Sequence, residues 1–186
     1  MRDVGTFLDR NQAFSRNFSR EVIITQCVEK KSCAVIFDVG SHHGESLEFF
    51  VEISPNARIY CFEPDPDSYD VLRKNYPEHL HTFNIAVSDQ VGVVNFYRNP
   101  ISHTNSLYKV NLKSNDSIKI SEERVADTSD FSDVVNQKIV VPCTTLKTFV
   151  RENDVDFIDL LKIDVQGAEK EVLKGAEDIL HMVEAV

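Results

Sequence analysis

Three acids punctuate this chain at places where chemistry could be done. Asp38 stands two residues before the first glycine of VIFDVGSHHGES (Val35–Ser46), Glu63 closes the apolar run in IYCFEPDP (Ile59–Pro66), and Asp164 follows the apolar run LLKI. An apolar run that reaches an acid and then breaks into a glycine-bearing turn and a helix is a common way to build a nucleotide site. Gly40 and Gly44 supply the turn, with Ser41, His42 and His43 between them. A phosphate-gripping loop needs Gly-Lys-Ser/Thr at its end. This one ends His43-Gly44-Glu45, so the reading fails. A dinucleotide site wants G-x-G-x-x-G so that the backbone can approach a pyrophosphate. Here the middle glycine is missing, and Asp38 would repel a dianion.

A cationic, phosphate-free nucleoside suits the pattern better. S-adenosylmethionine carries an ammonium, a sulfonium and a ribose diol. Asp38 could attract its amino-acid end directly or through water, and the glycines let the backbone pass close. Glu63, at the end of the second strand, is placed to grip ribose hydroxyls. Either acid alone could be a cap or a turn residue. Together, on consecutive strand ends, they argue for an adenosine-type ligand.

The elements that must position these acids alternate. Strands are expected at Ala34–Val39, Arg58–Phe62, His81–Val87, Ile139–Cys143 and Phe157–Val165, with another beginning at Val183–Val186. Helices are expected at Gly44–Ile53, from an Asp65 N-cap with Pro66 in the first turn to about Asn75 before Pro77, at Thr145–Glu152 and at Ala168–Leu180. Val91–Tyr97 alternates after a short turn, as a hairpin or an added edge strand would. Such alternation implies an α/β fold, a mostly parallel, doubly wound sheet with helices on both faces. Residues 1–31 read as an N-terminal helical leader and 32–186 as one domain, within which 98–137 is a long loop or lid.

Composition narrows the classes. The chain has 186 residues, a 42% hydrophobic fraction and a formal net charge of −10. That charge, with no basic patch, disfavours nucleic acid. No apolar run approaches the roughly 20 residues that span a bilayer, and the first residues lack a signal-peptide core, so a cytoplasmic location is expected. The four cysteines form no CxxC pair, and adjacent His42-His43 show no third ligand, so no metal is expected.

Four stretches in order, VIFDVGSHHGES, IYCFEPDP, FNIAVSD and LLKIDVQGAEKEVLKGAE, resemble the FkbM-type methyltransferases, a branch of the class I S-adenosylmethionine-dependent enzymes. The resemblance covers about 34–186, and the last stretch is its most specific part. It implies a Rossmann-like class I fold with S-adenosyl-L-methionine as cofactor. It implies cofactor contacts from Asp38, Gly40, Ser41 and His42 with Gly44 in the same loop, ribose binding by Glu63, and Asn84, Ala86 and Val87 beside the adenine. Asp164 would face the methyl group and the acceptor, as base or hydroxyl clamp, with His103 as a second candidate. Gly167 and Glu169 would shape the turn into the next helix. Lys162, two residues before Asp164 on the same strand face, could be half of a structural ion pair or part of the site.

The implied reaction is O-methylation of a hydroxyl on a sugar or other small metabolite. The rivals are a non-catalytic cofactor-binding or interaction fragment of such a fold and, with less support, a nicotinamide-dependent oxidoreductase. Members of class I continue past the fifth strand, whereas this chain stops at Val186. The expectation is therefore a fold truncated at the fifth strand, with a second copy or another partner covering the sheet edge.

Overall fold

Val35–Val39 (β1) and Arg58–Phe62 (β2) are runs of β-branched, aromatic and small apolar residues, buried at every position after the first. Such strands belong in the middle of a sheet covered on both faces. A computed structural model, which describes Thr25, Val28 and residues 31–76, 80–111 and 135–186, places them there. Leu80–Phe83 (β3), β2, β1 and Leu160–Ile163 (β7) form a four-stranded sheet in that order, every pairing parallel. Beyond β7, Val183 bridges Ile158 in parallel, and Leu161 N–H donates to Ala185 O at 2.9 Å, so the last residues run along the sheet as a further strand would.

Leu47–Ile53 (α1) and Pro66–Asn75 (α2) cover one face, through Leu47, Phe50 and Leu72 against Ile36, Ile59 and Cys61. Leu146–Glu152 (α3) and Glu169–Gly175 (α4) cover the other, through Phe149 and Val172 against Phe37, Phe62 and Leu161. Phe149 turns its edge to four rings at once. Its centroid lies 4.7 Å from Phe62, 4.9 Å from Phe83, 5.6 Å from Tyr60 and 5.7 Å from Phe37, at interplanar angles of 79–87°. That geometry sets the positive ring edge against negative ring faces.

A second sheet departs from expectation. Residues 81–87 do not form one strand. The chain leaves the main sheet at Asn84, whose side-chain amide donates to Glu63 O (2.8 Å) and Pro64 O (3.1 Å). Ala86–Val87 (β4) then pairs in parallel with Gln137–Thr144 (β6). Gly92–Arg98 (β5) is the added edge strand of the two expected alternatives, not a hairpin with what precedes it. It pairs antiparallel with β6, from Gly92 opposite Cys143 to Arg98 opposite Gln137. The expected loop therefore lies between two paired strands, with a 3-10 turn at Ser102–Thr104; residues 112–134 of it lie outside the described residues. So do most of the expected N-terminal helix and Pro77, although Thr25 and Val28 are helical and Val28 is in the core.

The expected helix over 168–180 is broken. After Gly175 it tightens into a 3-10 helix, Glu177–Met182. The absent side chain of Gly175 admits the carbonyl of Ser88, which would lie 2.0 Å from a Cβ. Asp65 occupies the N-cap position of α2 but does not cap it. Its buried carboxylate pairs instead with Arg98 Nε at 2.8 Å and accepts from Ser68 Oγ at 3.0 Å. A charge-assisted pair to a guanidinium outweighs a bond to one helix amide.

Candidate functional site

The carboxyl ends of β1, β2 and β7 open into one cavity of about 540 Å³. That size suits a small organic ligand, and the strand ends of a parallel sheet are where such ligands bind. The floor is the loop after β1. Gly40 N–H and Ser41 N–H both donate to Phe62 O, at 3.0 and 3.1 Å, folding the loop over the end of β2. Gly40 has φ +81°, and a Cβ there would sit 2.0 Å from the backbone oxygen of Asp164. Only glycine lets the β1 loop and the β7 end meet this closely.

Glu63 is 5% exposed. Its Oε2 accepts from His42 N–H and its Oε1 from Asp65 N–H, both at 2.8 Å. Burial pushes its carboxyl up to about 7, against the pull of those two amides. Each oxygen keeps lone-pair capacity on the cavity side, so the group can still accept from a pair of ligand hydroxyls.

Asp38 is fully buried and is not part of the cavity wall. Its neighbour across the sheet is Lys162, whose Nζ lies 2.8 Å from Asp38 Oδ1 and donates to Gly40 O at 3.1 Å. Neither carboxylate oxygen of Asp38 has a hydrogen-bond partner, so its contact with Lys162 is an ion pair. Burial raises the Asp38 carboxyl above the usual range, and the Lys162 ammonium pulls it back. Asp38 thus stands behind the cavity wall, with Lys162 between it and the cavity.

Asp164 is half exposed at the end of β7, and its Oδ1 accepts from Gln166 Nε2 at 2.8 Å. Gln166 and Gly167 turn the chain at φ +55° and +100°, and Glu169 Oε1 accepts from Gly167 N–H at 3.0 Å. The rim is tied to this floor by side chains. Ser106 Oγ donates to Gln166 O at 2.8 Å, and His42 Nε2 meets Ser102 Oγ at 2.7 Å.

Gly40, His42, Glu63 and Asp164 thus share the cavity wall, joined by Ala86 and Val87 from β4 and by His103 on the exposed rim. Ser41, Gly44 and Asn84 do not. Ser41 Oγ staples the loop to Asp38 O at 2.7 Å, Gly44 packs under Tyr76, and the Asn84 amide is spent on two carbonyls. Phe96 and Leu107 line the rim side and have no local signal in the sequence: the β5–β6 pairing places Phe96, and the Tyr97–Ser106 bridge brings the neighbouring Leu107 alongside. Lys162 was legible as a lysine inside an apolar strand.

Sequence alone found no third ligand beside His42-His43. The structure supplies Glu45, with ligand atoms of the three within 4.8 Å of one another. Both nitrogens of His42 are engaged, however, Nδ1 with Glu45 Oε1 at 2.6 Å and Nε2 with Ser102. No helix among the described residues is long and apolar enough to cross a membrane.

Residues 38–184 match the family model described as the methyltransferase FkbM domain. Among curated proteins the chain is similar to 2-O-methyltransferase NoeI of Sinorhizobium fredii, 29% identical over 153 residues, which are 81% of this chain and 60% of that protein. It is similar to 31-O-demethyl-FK506 methyltransferase FkbM of Streptomyces tacrolimicus, 27% identical over 179 residues, covering 86% of this chain and 67% of the relative. Hexuronic acid methyltransferase AglP of Haloferax volcanii is 28% identical over 171 residues, covering 90% and 60% respectively. The chain thus spans about 60–67% of the length of these relatives.

Proposed function

The chain belongs to the FkbM methyltransferase-domain family, and from that premise we propose that it binds S-adenosyl-L-methionine in the cavity and methylates a hydroxyl of a sugar or other small metabolite. The observation that carries this reading is the pairing of Glu63 and Asp164 on one cavity wall, at the ends of β2 and β7. The residues fit the cofactor. Glu63 keeps acceptor capacity for the two ribose hydroxyls. Ile85, Ala86 and Val87 offer the adenine an apolar wall, and Lys162 is the only lysine or arginine in the described lining, one cation among the carboxylates of Glu45, Glu63 and Asp164, which suits a single carboxylate better than the multiple charges of a pyrophosphate.

When bound, the cofactor supplies a methyl group on a sulfonium, open to in-line displacement by an oxygen nucleophile. The protein's share is orientation and proton handling. Asp164, held by Gln166, accepts a hydrogen bond from the acceptor hydroxyl and takes its proton as the new O–C bond forms. His103 stands on the same wall as a second proton acceptor. A cytoplasmic setting belongs to this reading, and the unpaired thiols of Cys33, Cys61 and Cys143 accord with a reducing compartment. The names of the relatives support hydroxyl acceptors, two of them naming an O-methyl position and one a hexuronic acid.

The test is calorimetric titration with S-adenosylhomocysteine, with NAD as the control. Saturable binding of the first alone is expected, followed by labelled methyl transfer from the donor to a panel of sugars and polyols. Binding of NAD instead would overturn the cofactor. Binding without transfer to any acceptor would leave a cofactor-binding domain and overturn the catalytic half of the proposal.

A further inference from the structure

Lys162 reaches the cavity from below. It stands on β7 opposite Asp38 of β1 in the parallel register, and its side chain is 17% exposed. The ammonium has three protons to donate. Gly40 O accepts one of them at 3.1 Å. Asp38 Oδ1, 2.8 Å away, is the ammonium's counter-ion and accepts no hydrogen bond from it. Asp164 Oδ2, at 3.9 Å, is beyond hydrogen-bond range, so it takes none. The wall that Lys162 joins also carries the carboxylates of Glu45, Glu63 and Asp164, and no other lysine or arginine among the described residues. One cation, fixed by a buried counter-ion, faces a cavity otherwise rich in acids.

A cation so placed selects for an anion. The following rests on the cofactor reading above. Adenine and ribose are neutral, and the sulfonium and the α-ammonium are cationic. The single anionic group of the cofactor is its amino-acid carboxylate. We propose that Lys162 binds that carboxylate through a proton that Gly40 O does not take, and that Asp38 is a positioning residue that holds the ammonium in place from behind as its counter-ion. Asp38 thus serves the amino-acid end of the ligand without touching it, which replaces the expectation that it draws the ligand's ammonium. The rigidity of the arrangement matters: a lysine already held by one hydrogen bond and one buried counter-ion loses little freedom when it makes a further bond.

The test compares two nucleosides that differ in the amino-acid moiety. S-adenosylhomocysteine carries the carboxylate; 5′-methylthioadenosine lacks it. Removing Lys162 alone would leave Asp38 buried and unpaired, so the variant of choice is the uncharged pair Asp38→Asn/Lys162→Met, checked for folding by its thermal transition. The expected result is a loss of roughly ten- to a hundredfold in affinity for S-adenosylhomocysteine, the size of one charge-assisted hydrogen bond, with affinity for 5′-methylthioadenosine held within about twofold. Asp38→Asn alone should lower the same selectivity by a smaller factor. An equal loss for both nucleosides, or none for either, would overturn the assignment and leave Lys162 a structural ion pair. Failure of the wild-type chain to bind either nucleoside would bring down the cofactor reading first, and this inference with it.

Discussion

The floor of the cavity and its rim are built on different principles. On the floor, between the ends of β1, β2 and β7, polar side chains are consumed in holding backbone to backbone: Ser41 on Asp38, Asn84 on Glu63 and Pro64, Lys162 on Gly40. On the rim, the Ser102–Leu107 segment is attached by the Tyr97–Ser106 bridge and by the side chains of Ser102, Asn105 and Ser106. The floor is tied at the ends of adjacent parallel strands, whereas the rim is tied to the floor through side chains. A scaffold of this kind can keep one cofactor while its acceptor side varies, since loops carried on rigid strands change without disturbing the core.

Substitution of the two regions should separate them. Gly40→Ala should do the most damage. It forces a Cβ against the Asp164 carbonyl at a positive φ, and a loss of roughly 3 kcal/mol or more is expected in urea unfolding. Gly92 has φ +132° with nothing within 4 Å, so Gly92→Ala on the small sheet should cost only about 1–2 kcal/mol of backbone strain. Equal losses would erase the contrast between the regions. Asp164→Asn should lower turnover roughly a hundredfold or more, with the dissociation constant of S-adenosylhomocysteine within about twofold of wild type. Unchanged turnover would remove Asp164 from the chemistry.

Glu63→Gln should weaken S-adenosylhomocysteine roughly tenfold and should flatten a pH dependence that the wild type shows. The sign follows from burial, which raises the Glu63 carboxyl from 4.5 to about 7. Its contribution to stability is complete below the unfolded value of 4.5 and is lost as pH rises through about 7. Ligand hydroxyls donate to the ionised form, so affinity runs the other way and strengthens as pH rises through that value. Calorimetry from pH 6 to pH 8 reads this directly, and a flat wild-type profile would contradict it. The smallest effect is expected on the rim. His42→Ala removes the bond to Ser102 but keeps the backbone amide on Glu63. It should raise the acceptor KM by about two- to tenfold and leave cofactor affinity nearly unchanged.

Legibility in the sequence follows the same division. β2 and α2 fall where their local patterns put them, because apolar runs, an Asp-Pro start and helical spacing are all short-range signals. The floor acids could be named for the same reason: each ends an apolar run. Asp38 and Asn84 end up behind the cavity wall, paired with Lys162 and with two carbonyls, and which way a buried polar side chain bonds depends on the strand beside it. The rim was opaque. Tyr97 meets Lys138 across the β5–β6 ladder, and no local pattern announces a partner that far along the chain. Residues 81–87 divide between two sheets at Asn84, whose amide bonds to two carbonyls from another strand end.

The ring cluster around Phe149 has a practical side. The sequence contains 5 tyrosines and no tryptophan. Tyr60 is 5% exposed, lies in contact with Phe37, Phe149 and Phe83, and stacks on His81 at 4.9 Å. A phenol locked among asymmetric neighbours gives circular dichroism in the near ultraviolet, and the signal vanishes when fixed packing is lost. Excitation at the red edge of the tyrosine band finds no native indole to compete. A single tryptophan placed at Phe96 on the cavity wall would therefore be the sole indole emitter, and the chain is optically arranged so that sheet packing and cavity occupancy could be followed at separate wavelengths in one cuvette.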